Sequence, residues 1–281
     1  MLRIAVPNKG ALSTAASQLL CDAGYRARRE AAELVVLDVE NDIEFFFLRP
    51  RDIAVYVGSG RLDAGITGRD LLIDSGAAAD EILPLGFGHS TFRYAATAGA
   101  MTDVAELAGR RVATSFAGLV QADLDRRGIS ADIVRLDGAV ETAVRLGVAD
   151  AIADVVETGR TLRASGLELL GGEIMRSEAV LVVKKGTVLG TGHERLLRRV
   201  QGVLVARQYV MMDYDAPASV VEKACEVTPG YESPTISPLA REGWVAVRAM
   251  VLQSELNRVM DDLWDIGARG IIVSAIQACR L

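Results

Sequence analysis

The run ETAVRLGVADAIADVVETGRTL, residues 141–162, decides the reading of the chain. Its centre, 151–156, is an apolar strand with a single acid, Asp154, near its C-terminal end. The polar turn Glu157-Thr158-Gly159-Arg160-Thr161 follows, and a helix begins within 161–164. Strand, turn and helix in that order are the unit of an α/β fold. In such sheets ligands bind at the C-terminal ends of strands. A helix N-terminus offers free backbone N–H groups and the positive end of a dipole. Gly159 lets the backbone approach an anion closely, and Thr158 and Thr161 add hydroxyl donors. The pattern suits a monophosphate held in the turn, with Asp154 accepting hydrogen bonds from a neighbouring sugar hydroxyl. Short Gly/Thr turns also serve as plain strand–helix junctions with Thr as N-cap, so the turn alone does not separate the two. No Walker loop is present.

Outward from that run the same alternation continues. Strands are expected at 2–6, 34–39, 43–48, 64–67, 112–115, 133–136 and 178–183, with Asn41-Asp42 as the turn between the second and third, and helices at 13–23, 52–58, from 70, 119–127, 139–146 and 193–207. Strand–helix alternation predicts parallel sheets with crossover helices. The late strand 178–183 can return to the first sheet. The result is two α/β lobes with a central cleft, resembling periplasmic-binding-protein-like lobes, and such clefts are favoured ligand sites. The expected boundaries are 1–87 plus 180–208 for lobe I and 88–179 for lobe II. Residues 209–281 differ. They read strand, helix, strand, strand, helix, strand, the ferredoxin-like order, in a separate domain of about 75 residues.

Composition narrows the function. The chain has 281 residues, half of them hydrophobic and 24% charged, as in ordinary globular proteins. Lys plus Arg is 31 against 37 Asp plus Glu, a net charge of −6, which argues against a broad nucleic-acid surface. Cys21, Cys225 and Cys279 are far apart and odd in number, so neither a disulfide framework nor a cysteine metal site is expected. A reduced, cytoplasmic setting fits. The start MLRIAVPNKG lacks an apolar stretch after a basic region, and no apolar run approaches the ~20 residues of a membrane helix.

The spacing E-x5-G-x-A-x2-I-x-D-V-x2-T-G-x-T-L, set here by Glu141, Gly147, Ala149, Ile152, Asp154, Val155, Thr158, Gly159, Thr161 and Leu162, resembles the signature of the ATP phosphoribosyltransferases of histidine biosynthesis. AVPNKGAL, EFFFLRPRDIAVYVGSGRLDAGITGRDL, RLDGAVE, DYDAP and ESPTISPL look like the same family. The resemblance spans nearly the whole chain. Its C-terminal domain looks like that of the long form, which binds histidine as feedback inhibitor and needs no separate regulatory subunit.

The resemblance implies that ATP and phosphoribosyl pyrophosphate are joined through an oxocarbenium-like transition state, with Mg2+ assisting pyrophosphate departure. Catalysis is then positioning and charge stabilisation. It implies that Glu157, Thr158, Gly159, Arg160 and Thr161 cradle the 5′-phosphate, and that Asp154, with Glu141, orients the ribose and meets developing positive charge. It implies an ATP side made of Lys9, Gly10, Arg49, Arg51 and Asp70, where arginine can grip phosphate or stack on a base. Asp215, Thr235 and backbone near Gly270 are the implied histidine contacts, although Asp and Thr at turns also act as plain turn formers. No metal ligand is assigned. Dimers and hexamers are implied, with neither nucleic acid nor membrane as partner. Two positions depart from the family pattern: Phe116-Ala117-Gly118-Leu119, where Tyr-Pro-Asn-Leu is more usual, and His89, where a small hydroxyl residue is. A non-catalytic solute-binding protein would share the two-lobed shape.

Overall fold

The computed structural model describes residues 1–28, 33–156 and 160–280. Along the chain run β1 (Leu2–Pro7), α1 (Ala11–Asp22), β2 (Val35–Asp38), β3 (Ile43–Leu48), α2 (Pro50–Gly58), β4 (Ala64–Gly68), α3 (Arg69–Ser75) and β5 (Ala79–Pro84). There follow β6 (Ser90–Thr97), β7 (Arg111–Thr114), α4 (Ala117–Arg127), β8 (Asp132–Arg135), α5 (Thr142–Arg145), β9 (Ala151–Val156), α6 (Arg160–Ala164) and β10 (Leu167–Ser177). β11 (Ala179–Lys184) and α7 (Thr191–Gln208) lead to β12 (Tyr209–Pro217), α8 (Val221–Val227), β13 (Thr235–Pro238), β14 (Trp244–Leu252), α9 (Leu256–Ile266) and β15 (Arg269–Ala275).

Two compact units result. One holds residues 1–21 and 25–193, the other residues 22–24 and 194–281. The first unit has two sheets, ordered β2-β3-β1-β4-β11-β5 and β10-β6-β9-β7-β8. β11 lies between β4 and β5, antiparallel to both, so the chain crosses from lobe I to lobe II after β5 and back after β10.

The sheets are mixed, which corrects the expectation of parallel ones. β3, β1 and β4 run parallel, as do β8, β7 and β9. β2, β5, β6, β10 and β11 pair antiparallel. Connection length explains one of these pairs, β2 with β3, since parallel neighbours need a crossover of a dozen or more residues; the other antiparallel pairs, β6 with β9 and β10 and β11 with β4 and β5, join strands far apart in the chain. Between β2 and β3 there is only a 3-10 turn, Val39–Asn41, closed by Asp42 at φ 57. That turn is held by buried Asp38, whose carboxylate accepts from Arg26 N, Asn41 N and Asn41 Nδ2. β5, β6 and β10 are further strands that the sequence pattern does not announce.

The second sheet is covered on both faces. Phe92, Tyr94 and Ala96 pack with Leu107, Val120 and Leu124 on one side. Ala95 and Ile152 pack with Val140, Ala143 and Leu162 on the other. Side chains alternate between faces, so a strand buried on both sides must be apolar, as β9 is over Ala151–Ala153 before Asp154 at its less buried end. In lobe I, Phe45 and Phe47 point into the core at 0% and 1% exposure, each worth about 1.5–3 kcal/mol of burial, while Phe46 is half-buried.

In the second unit the sheet order is β13-β14-β12-β15, antiparallel throughout. With α8 and α9 in the connections this is the ferredoxin-like topology. Met212, Tyr214, Val247 and Val251 pack with Val259 and Leu263 of α9.

Candidate active site

The two lobes of the first unit enclose a cavity of about 230 Å³. Lobe I supplies Lys9 and Gly10 from the β1–α1 turn, Pro50 from the start of α2, Gly68 from the end of β4 and Asp70 from the first turn of α3. Lobe II supplies Ser90, Phe116, Val155 and Ser177. Asp70 is 8% exposed. Its Oδ1 accepts from Leu71 N at 2.9 Å, and its own N–H donates to the buried Ser177 Oγ at 3.0 Å. Lys9, Gly10 and Asp70 are thereby brought to one wall. Arg49 is exposed and precedes α2 in extended backbone. The start of α2 is tied to β4 by Thr67 Oγ1, which donates to Pro50 O at 2.7 Å.

A second hollow, about 530 Å³, shares Ser90 and is lined also by His89, Thr91, Val156, Glu173 and Arg176. Thr91 pairs with Val156 and Arg93 with Asp154 across β6 and β9. Directly paired residues share a face, so Asp154 lies on the same face of the sheet as this second hollow, while Val155 turns to the other. Asp154 does not line either cavity among the described residues. Its Oδ1 accepts from Val155 N at 2.7 Å. Burial pushes its pKa up and the nearby Glu141 carboxylate adds to that, against the lowering effect of the Val155 amide. Glu141 stands immediately before α5. Asp154 near the strand end thus feels the Glu141 carboxylate at the start of α5.

Arg160 and Thr161 open α6. Glu157, Thr158 and Gly159 lie outside the described residues. Arg51 does not line either cavity. Its Nη1 donates to Asp74 Oδ2 at 2.6 Å and its guanidinium lies 4.8 Å from the Phe116 ring centre. Arg69, next to Asp70, is pinned by Glu81 and Glu178, whose hydrogen bonds raise its pKa against the effect of burial. Ser90, Thr91, Ser177, Glu173 and Arg176 come from β6 and β10 or their junctions. Nothing in local sequence marks them, because the pairing of those two strands puts them there.

The ATP phosphoribosyltransferase (HisG) family model matches residues 49–202, and the model of the HisG C-terminal domain matches residues 206–278. An ATP phosphoribosyltransferase of Pseudarthrobacter chlorophenolicus is 63% identical over 284 residues, covering all of both chains. The chain belongs to the ATP phosphoribosyltransferase family. It is thereby an enzyme, a pentosyltransferase. The Streptomyces coelicolor ATP phosphoribosyltransferase is 61% identical over 285 residues, again across both whole chains. Among solved structures, a chain of the ATP phosphoribosyl transferase (HisG:HisZ) complex from Thermotoga maritima superimposes with a TM-score of 0.62 at 29% identity. That match covers 73% of this chain and 98% of the other.

In the stretch matched by the family's C-terminal model, Tyr214 and Met212 face the helices, so Asp213 and Asp215 face the opposite side of the sheet. Thr235 pairs with Arg248, and Arg248 with Asp213, which places Thr235 on that side as well. Arg248 Nε donates to Asp213 Oδ1 at 2.6 Å. Gly270, at φ 59, sits at a register shift in β15, and a Cβ on it would lie 3.5 Å from Asp215 Oδ2. Asp215, Thr235 and Gly270 thus share one open sheet face.

Among the described residues no group of three or more His, Cys, Asp or Glu side chains is arranged to hold a metal. None of the described helices is long and apolar enough to cross a membrane.

Proposed function

We propose that this chain condenses ATP with phosphoribosyl pyrophosphate, the first step of histidine biosynthesis, under feedback inhibition by histidine. An adenine ring nitrogen forms the new bond to the anomeric carbon while the carbon–oxygen bond to pyrophosphate breaks, its electron pair leaving on the pyrophosphate. The observation that carries the reading is the Asp154–Glu141 carboxylate pair at the end of β9 in a chain similar over its full length to named ATP phosphoribosyltransferases.

Asp154, ionised, accepts from the ribose hydroxyls and, with Glu141, provides negative potential where positive charge develops at the anomeric carbon. The turn 157–161 holds the 5′-phosphate at the N-terminus of α6. Lys9, Gly10, Arg49 and Asp70 take the nucleotide. Holding both substrates in line supplies most of the rate enhancement, and no covalent intermediate is needed.

Mg2+ fits this donor set. It is commonly bound by one or two carboxylates plus substrate oxygens and water, and a repelling carboxylate pair is a ready acceptor of a cation. Asp154 and Glu141 would hold it. When bound, it neutralises charge on the departing pyrophosphate.

The C-terminal sheet face carrying Asp215, Thr235 and Gly270 offers a carboxylate for the ammonium of histidine and hydroxyl and backbone donors for its carboxylate. Regulation within the chain removes the need for a separate regulatory subunit. In support, the Thermotoga maritima HisG:HisZ structure is matched by only 73% of this chain. Homodimers and hexamers in the cytoplasm complete the reading.

Pyrophosphate release from ATP and phosphoribosyl pyrophosphate with magnesium, with and without histidine, tests it. ATP-dependent release that histidine suppresses is expected. Binding of phosphoribosyl pyrophosphate without release would overturn the transferase reading in favour of a solute-binding protein.

A further inference from the structure

Besides the strand crossings at residues 85–89 and 177–179, the lobes meet where α3 approaches α4. Asp74 of α3, its side chain 9% exposed, receives three donors there. Its Oδ1 accepts from Gly118 N at 2.9 Å and Leu119 N at 3.2 Å, and its Oδ2 accepts from Arg51 Nη1 at 2.6 Å. Phe116 precedes α4 and its side chain gives the helix no cap. The free N–H groups of that helix start are therefore met from the other lobe. Arg51, held by Asp74, lies against the Phe116 ring, which is itself edge-on to Phe92 at 5.1 Å. Gly118 permits the approach, since a Cβ on it would collide with the backbone oxygen of Asp74. Pro50, Leu71 and Phe116, neighbours of these residues, line the 230 Å³ cavity.

We infer that Asp74 is a positioning residue, an interlobe latch that sets the width of the cleft and so the approach of the two substrates. The contact joins a carboxylate, a guanidinium and two uncapped amides that come from both sides of the cleft. It lies beside the cavity rather than in it, so it acts on geometry rather than on a ligand atom. Arg51 serves here as the latch's cation. The inference rests on the transferase reading, in which two substrates bound on different lobes must meet. A displacement of about 1 Å in such a bimolecular step costs on the order of a hundredfold in rate.

Three variants test the latch in the full-length enzyme. Asp74→Ala removes all three bonds. Asp74→Asn keeps an oxygen for the α4 amides and drops the charge facing Arg51. Gly118→Ala wedges the lobes apart with every charge retained. Wild-type turnover by itself decides the transferase reading. The latch is read against wild type in kcat, in the dissociation constant for ATP alone, and in hydrogen exchange at the Gly118 and Leu119 amides. That exchange needs no turnover. Expected are protected Gly118 and Leu119 amides in wild type and their deprotection in Asp74→Ala. Asp74→Ala and Gly118→Ala are expected to lose about tenfold to a hundredfold in kcat, with ATP binding changed by less than about threefold, and Asp74→Asn to fall between. Unprotected amides in wild type, wild-type kcat in both Asp74→Ala and Gly118→Ala, or an ATP dissociation constant that rises as far as kcat/KM falls would each overturn the latch. The last result would return Arg51 to the nucleotide site, with Asp74 as its partner there.

Discussion

On the proposed mechanism, function and stability oppose one another at Asp154. Its carboxyl titrates above its ordinary value of 3.8 because it is buried and faces Glu141. Between 3.8 and the raised folded value the folded chain binds the proton better than the unfolded one, so stability falls as pH rises through that window. At neutral pH the ionised carboxylate costs stability in full. Asp154→Asn should therefore raise the melting temperature at pH 7 by a few degrees while lowering kcat by about a hundredfold or more. Calorimetry and a pH profile check both halves. The wild-type acid limb should lie above the range of an ordinary aspartate and vanish from the residual activity of the variant. A variant that loses activity and stability together would contradict this account. The position of Asp154 is legible in the sequence, because an acid stands out near the end of an apolar strand, and the structure places it near the end of β9. Ser177 is not, since its contact with Asp70 N spans 107 positions and depends on the return crossing. Arg51 shows a different limit. Arginine after a strand signals an anion, and the sequence does not say that the anion is Asp74.

At the scale of elements, periodicity reports strands only where a whole face is dry. β9 is apolar except for Asp154 and declares itself. β6, SerThrPheArgTyrAlaAlaThr, interleaves polar residues on the face that carries the second hollow. β10 contains Gly171-Gly172 and two register shifts, and bulges erase the two-residue period. The two strands that line the second hollow beside β9 are thus the ones whose pattern is broken. The α2–β4 contact is the opposite case, where close packing dictates a residue. A Cβ on Gly65 would lie 2.5 Å from Ile53 Cγ2 and 3.2 Å from the Ala5 Cβ. Gly65→Ala should destabilise the enzyme by about 1–3 kcal/mol through overpacking, outweighing the gain of about 0.4–1 kcal/mol that alanine brings by restricting the unfolded chain. A urea denaturation midpoint measures the difference, and an unchanged midpoint would mean that β4 and α2 do not pack as described.

At the scale of the molecule, the proposed function assigns chemistry to one of the two compact units and sensing to the other. Asp213 is already engaged by Arg248, which leaves Asp215, beside Gly270, as the carboxylate for an incoming ammonium. Asp215→Ala should weaken histidine inhibition by roughly tenfold to a hundredfold, the value of one charge-assisted hydrogen bond, with uninhibited turnover unchanged. Inhibition curves for the two proteins decide it, and coincident curves would place the effector elsewhere. The division into an α/β part and a ferredoxin-like part is legible from element order alone, because helices between strands and the βαββαβ sequence are local signals. The direction of β2 against β3 is legible in the short turn at Asn41-Asp42, but that of β5, β6, β10 and β11 is not, because their partners lie far away in the chain.

The position of β11 reaches back into the birth of the protein. β4 and β5 leave the ribosome early, yet the strand that fits between them is made only after all of lobe II. At about 5–20 residues per second, the nascent lobe I waits several seconds with one edge of β4 and its apolar side chains unclaimed. Lobe II, continuous in sequence, can fold as an insert during that interval. A chain released before Lys184 has no means to close its first sheet, so truncated translation products should be substrates for chaperones and proteases rather than half-sized enzymes.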